Sequence, residues 1–240
     1  MLPTDSRFDR SYRQLARSLM ERAPGFSQCS AALLDELVAE GLLVRLAAGE
    51  TLLRRGERCD GLVMVIEGAL ESRLVLDTGR RHLLSFVLPG MFVGFLSVID
   101  GGPLPHDVVA HRPAIVLRMP AATVQRLRRA SLELHLAFEL QLADRSRRLY
   151  DKLAESLLYP LRARLALQLV QLAESVGLRR ADGWTIALRL SQADLADLLG
   201  ASRQSVNTEL RALQAAGLLR IAREHMECPD LDKLRAVGAE

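Results

Sequence analysis

Glycine is the feature that most limits what this chain can fold into. Between residues 43 and 119 it recurs at 49, 56, 61, 68, 79, 90, 94, 101 and 102, and none then occurs between Gly102 and Gly177. In the glycine-rich stretch the apolar runs are short: Leu62–Ile66, Leu74–Leu76, Leu83–Leu88, Val108–Ala110 and Ile115–Leu117. Short strands parted by frequent turn residues make an all-β barrel or sandwich, with glycine supplying the positive φ angles of tight corners. The glycine-free stretch has helical periodicity instead, predicting helices over Ala121–Arg129, Leu132–Leu158 and Leu161–Val176, with Pro160 starting the last. Two further helices are expected near the start. Phe8, Tyr12, Leu15 and Leu19 recur at helical spacing, and Leu33, Leu34, Leu37 and Val38 follow Ser30. The fold class is therefore α+β.

Composition narrows the functional classes. The 240 residues are 49% hydrophobic and 25% charged, ordinary for a globular chain, and the net charge of +3 permits an anionic partner without demanding one. Cys29, Cys59 and Cys228 are scattered, which fits neither a disulfide framework nor a zinc site. No apolar run is long enough for a membrane span. The polar, acidic start MLPTDSRFDRSYRQ is unlike a signal peptide, so a cytoplasmic protein with no membrane partner is expected. Motifs for a nucleophile elbow, a phosphate loop or a zinc protease are absent, and His82, His106, His111, His135 and His225 are dispersed, so no enzyme is expected.

The helix expected at Leu132–Leu158 carries two apolar stripes. One is Leu136, Leu140, Ala143, Tyr150, Ala154 and Leu157, interrupted by Arg147; the other is Phe138, Leu142, Leu149 and Leu153. One stripe suffices for packing on its own domain, so two point to a second partner, most simply the same helix of another subunit. The competing reading is a central helix in a monomer core.

The segment LSQADLADLLGASRQSVNTELRALQAAGLL, Leu190–Leu219, is the most informative in the chain. Ser191 and Asp194 form a capping-box pattern before an apolar face of Leu195, Leu198 and Leu199. Gly200 and Ala201 make a turn, and Ser202 caps a second helix with Val206, Leu210 and Leu213 inward. Its outward face carries Arg203, Gln204, Asn207, Thr208 and Arg211. Such a face can read double-stranded DNA: Arg bonds guanine in two places, Gln or Asn does so to adenine, and the Ser-capped helix start suits a phosphate. Ser191 and Gln192, at the first helix's start, join the candidate DNA-binding set. An ordinary helical hairpin with a polar solvent face is the alternative. Downstream, Arg220–Met226 with Glu227–Cys228 is expected as a two-stranded wing and Asp230–Val237 as a closing helix. Upstream, Ala181–Trp184 is expected as a turn before a β-like stretch, Thr185–Leu190.

From about Leu42 to the end the sequence resembles the CRP/FNR family of bacterial transcription regulators, through the glycines at 56, 68, 79, 90 and 94, the stretch LPGMFVGFLSVIDGGP and the Leu190–Leu219 segment. The resemblance implies an N-terminal jelly-roll-like β-roll of the cyclic-nucleotide-binding type, a long dimerisation helix and a C-terminal winged helix-turn-helix. The corresponding division is 1–130, 131–159 and 160–240. It also implies a homodimer on a palindromic DNA site, controlled by an effector, with RNA polymerase as a partner if the protein activates.

Cyclic-nucleotide-binding members carry Gly-Glu-Leu in the cassette, followed by Arg with Ser or Thr. Here Gly94-Phe95-Leu96 is followed by Pro105-His106. Phenylalanine accepts no hydrogen bond and proline carries no charge, so the cyclic phosphate would be desolvated without a cation. Cyclic AMP and cyclic GMP are expected not to bind, and no cofactor is identified. Phe95 should make the pocket more apolar, leaving room for another small-molecule effector, with His106 as an anion contact when protonated. Tyr150 falls where members reach from the long helix into the pocket. Cys29 and Cys59 cannot complete a four-cysteine cluster, whereas haem, which one His or Cys can ligate, stays open. Cys59 is a candidate redox thiol or a plain small residue. The other function class is a ligand-sensing module acting on a protein partner, which needs no recognition helix.

Overall fold

The computed structural model describes residues 6–75, 81–222 and 225–238. Leu76 and Gly79 of the strand pattern, and the wing tip at 223–224, lie outside them. The chain divides into two compact units, 1–80 with 84–147 and 148–240 with 81–83, and the boundary at 147/148 falls within one continuous helix.

The first unit opens with α1 (Ser6–Arg22) and α2 (Ala31–Glu40). Strands β1 (Leu42–Leu46), β2 (Thr51–Leu53), β3 (Gly61–Glu67), β4 (Leu70–Val75), β5 (Arg81–Val87) and β6 (Phe92–Val93) follow. Then come α3 (Phe95–Asp100), β7 (Asp107–Ala110), β8 (Ala114–Pro120), α4 (Ala121–Ala130) and α5 (Leu132–Leu158). The strands form two four-stranded sheets, ordered β1-β8-β3-β6 and β2-β7-β4-β5. Between them lies an apolar filling that includes Leu46, Val63, Val65, Leu70, Val108, Ala110 and Val116.

β3 explains why one run of sequence lacks strand-like alternation. Its residues from Gly61 to Ile66 are all buried. Val63 and Val65 face the interior of the roll, while Leu62, Met64 and Ile66 meet the helices through a second cluster that includes Met20, Phe26, Leu37, Val124, Leu134 and Phe138. A strand covered on both faces has no polar side to show.

Two helical expectations shift in phase. In α1 the buried residues are Ala16 and Met20, with Tyr12 and Leu19 at the edge and Leu15 exposed, so the buried stripe is rotated from the one the larger side chains suggest. In α5 the face turned to its own unit is Leu134, Ala137, Phe138 and Gln141. Phe138 thus packs inward as expected, but Leu149 and Leu153 of the same stripe are exposed, together with Leu136, Leu140, Tyr150 and Leu157 of the other.

The second unit is built on α6 (Leu161–Val176), whose buried Leu165, Leu169, Leu172 and neighbouring alanines form its core. A hairpin of β9 (Gly177–Arg180) and β10 (Gly183–Ile186) comes next, then α7 (Gln192–Leu199), α8 (Arg203–Ala215), β11 (Arg220–Ile221), β12 (Met226–Cys228) and α9 (Leu231–Val237). The wing strand β11 is shorter than expected, and the wing belongs to a four-stranded sheet, β11-β12-β10-β9. Gly183 and Trp184, expected in a turn, begin β10 instead, and the β-like stretch stops at Ile186. Replacing Phe138 by Ala should cost about 3–5 kcal/mol, because its ring fills a fully buried site; chemical denaturation of wild type and variant measures it.

Candidate DNA interface and effector cassette

The helix-turn-helix is positioned by local hydrogen bonds that its sequence encodes. Ser191 Oγ accepts from the Asp194 amide at 3.1 Å, and Asp194 Oδ2 accepts from the Ser191 amide at 2.9 Å, a complete capping box. Gly200 ends α7 in the left-handed region at φ 61°, which glycine adopts without strain. Ser202 Oγ then accepts from the Ser205 amide at 3.0 Å and starts α8. Val206, Leu210 and Leu213 are buried, so the phase of α8 is fixed by its back face.

Arg203, Gln204, Thr208 and Arg211 consequently stand exposed on the other side, and among the described residues Arg203, Gln204 and Arg211 have no side-chain partner. Thr208 Oγ1 donates to the Gln204 carbonyl at 3.1 Å. Asn207 is half-buried and accepts from Gln192 Nε2 at 3.1 Å, a link between α7 and α8 that the sequence did not suggest. The sequence reading missed two arginines that set this geometry. Arg162 on α6 pairs with Glu209 on α8 at 2.7 Å, and Arg164 donates to the Leu199 carbonyl at the end of α7. Their long-range partners have no local sequence signal.

In the first unit the cassette runs from β6 through α3 to β7. Gly94 caps α3 at φ 91°; a Cβ there would lie 2.7 Å from the Gly61 carbonyl oxygen and 3.1 Å from Cys59 Sγ, so only glycine fits. Phe95 does not line an apolar pocket as expected. It is 1% exposed, and its ring meets Phe138 edge to face at 4.6 Å and Phe92 at 5.7 Å. The first residue of α3 is turned inward, onto α5. Arg145, which the sequence reading did not single out, lays its guanidinium 4.8 Å from the Phe95 ring centre and donates to the Phe92 carbonyl.

Leu96 and Pro105 are exposed. His106 is half-buried, with Nδ1 3.2 Å from the Asp107 carbonyl; burial pushes its pKa down, the nearby Arg145 cation adds to this, and Asp107 opposes it. Burial thus works against the protonated form that an anion contact by His106 needs. Tyr150 is 72% exposed and lies on the outer row of α5. Neither a ribose-binding carboxylate nor a phosphate-binding arginine stands at Phe95 or Pro105, so these positions do not fit a cyclic nucleotide.

Among the described residues no cluster of three or more His, Cys, Asp or Glu could hold a metal ion, and no helix is long and apolar enough to cross a membrane. Cys59 Sγ donates to the Gly61 carbonyl at 2.8 Å, and burial pushes its thiol pKa up.

Two domain families match this architecture. Residues 43–131 match the cyclic nucleotide-binding domain and residues 163–237 the Crp-like helix-turn-helix domain. The chain belongs to the CRP/FNR family. It is a DNA-binding transcription regulator by that membership, not an enzyme. The CRP-like cAMP-activated global transcriptional regulator of Mycobacterium tuberculosis is 27% identical over 186 residues, covering 78% of this chain and 83% of that one. Among solved structures, FixK2 of Bradyrhizobium japonicum superposes with a TM-score of 0.76 at 19% identity, covering 83% of this chain and 98% of that one. The c-di-GMP-responsive regulator CLP of Xanthomonas campestris gives 0.70 at 22% identity, covering 84% and 100%.

Burial raises all three thiols, Cys29 and Cys228 to about 11. The thiolate is the reactive form. Alkylation by iodoacetamide at pH 8 should therefore be slow in the native protein and fast in denaturant, as intact-mass spectrometry would follow; fast native labelling of Cys59 would restore it as a redox candidate.

Proposed function

We propose that this CRP/FNR regulator binds an inverted-repeat DNA site as a homodimer, in the cytoplasm, under an effector other than cyclic AMP or cyclic GMP. The observation that carries the reading is the exposed row Arg203, Gln204, Thr208 and Arg211, held in one phase by the buried back of α8. Ser191, Ser202 and the start of α8 serve the DNA backbone, while Gln192 and Asn207, half-exposed and bonded to each other between α7 and α8, remain in the DNA-binding set. The functional division is 1–130 for sensing, 131–159 for dimerisation and 160–240 for DNA.

The exposed apolar row of α5 supports the dimer. Its 27 residues span about 40 Å, and the DNA-binding unit follows its C-terminal end. Only a parallel pairing of two such helices puts both DNA-binding units at one end, where they can meet one duplex. The recognition helices would then enter successive major grooves about 34 Å apart. Because Gln204 and Thr208 stand where the family usually has Glu and Arg, the half-site should differ from the usual family one.

An effector would bias two arrangements of the paired α5 helices, and as an activator the protein would also contact RNA polymerase. The buried Phe95 and uncharged Pro105 support the exclusion of cyclic nucleotides, even though a relative is cAMP-activated. A different small molecule or haem remains the effector class.

Selection of random duplexes by the purified protein at moderate salt should enrich an inverted repeat. Salt-sensitive binding with no motif, with and without cell extract, would sink the reading. Arg203→Ala should cost about 1–3 kcal/mol at one base pair of each half-site, whereas an equal loss on all sequences would make Arg203 a phosphate contact. Calorimetry with cyclic AMP should show no micromolar binding.

A further inference from the structure

We propose that the dimer holds a binding position for a multiply charged phosphate-class anion on its two-fold axis, made by Arg147 of both copies. The inference rests on the dimer reading above. One outward row of α5 is Leu136, Leu140, Ala143, Arg147, Tyr150, Ala154 and Leu157, and it alone is spaced alternately by four and three residues over the helix, as the heptad seam of a coiled coil is. Arg147 is the one charge in that row, near its middle. It is exposed and, among the described residues, has no ion-pair or hydrogen-bond partner.

In a parallel pair, each seam side chain inserts between four residues of the facing helix. For Arg147 these are the partner's Ala143, Ser146, Arg147 and Tyr150. None carries negative charge. Two guanidiniums therefore approach one another, with Ser146 and Tyr150 adding hydroxyl donors and the small Ala143 leaving room one layer away. Arginine forks suit phosphate oxygens, and a bridging anion replaces repulsion between the copies by attraction to both.

The acidic groups nearby do not supply that charge in the single chain. Asp144 already has a partner, and Glu139 lies beside His135 at 3.4 Å. Asp151 follows Arg147 by one turn without pairing to it, and cation-before-acid is the weaker order along a helix. The site is complete only when two copies meet, so anion binding and dimerisation are linked.

Sedimentation equilibrium of the full chain tests this, with sodium chloride replaced by sodium pyrophosphate at constant ionic strength. The wild-type dimer dissociation constant should fall about tenfold, as linkage requires when the probe is near ten times its own dissociation constant. Arg147→Leu should dimerise more tightly than wild type in chloride and not respond to pyrophosphate. Arg147→Lys, which keeps the charge but loses the fork, should respond less than wild type. Asp151→Asn should leave the response intact.

A wild type indifferent to pyrophosphate, or an Arg147→Leu variant that responds equally, overturns the proposal while leaving the dimer standing. So does an anion response that appears only in Asp151→Asn, since Arg147 would then be paired with that acid. If Leu140→Asp and Leu157→Asp leave self-association unchanged, or the wild type stays monomeric, the dimer reading itself fails.

Discussion

The edge-to-face contact between Phe95 and Phe138 fixes which side of α5 lies against the β-roll. Phe138 belongs to α5, so burying its ring beside Phe92, Phe95 and Phe26 decides which side of that helix faces its own unit. The opposite side, with Leu136, Leu140, Tyr150 and Leu157, is left in water. Exposing that many large apolar side chains in one continuous row is unfavourable for a lone chain. The same ring contact takes the first side chain of α3 away from the cassette. One packing choice thus produces both an uncovered seam and a cassette without its usual acceptor.

Much of this was legible in the sequence because it rests on local chemistry. The ends of α5 and α6 follow from the absence of glycine and the placement of Pro160. The two faces of α8 follow from Ser202, Gly200 and the spacing of Val206, Leu210 and Leu213. What was missed depends on partners far away in the chain. β9 is nearly all exposed and carries two arginines, so it shows no apolar alternation, and only pairing with β10 makes it a strand. α1 buries Ala16 and Met20 because its phase is set by what it packs against, not by its largest apolar side chains. The bond between Asn207 and Gln192, fifteen residues earlier, was likewise hidden, since it depends on how α7 packs on α8. Phe95 could be read as a missing ligand from the sequence, but not as a core residue, since Phe26 and Phe138 are distant in sequence.

The two units carry different kinds of evidence about function. In the DNA-binding unit, capping, burial and free donors agree on one surface, and the family match says what such a surface does. In the β-roll the fold matches the cyclic nucleotide-binding domain, while positions 95 and 105 carry a buried ring and a proline, neither of them charged. Fold and ligand are separable, because the roll is held by a buried core of Val, Leu and Phe.

Phe95 also limits what its position can carry. A carboxylate placed there would lie among Phe26, Phe92 and Phe138 and would remove the ring against which Phe138 packs. Even with the Arg145 guanidinium beside it, α5 would lose an anchor as the cassette gained an acceptor. A single substitution at this position therefore exchanges packing of α5 for a hydrogen-bond acceptor, so the two properties cannot be tuned separately there.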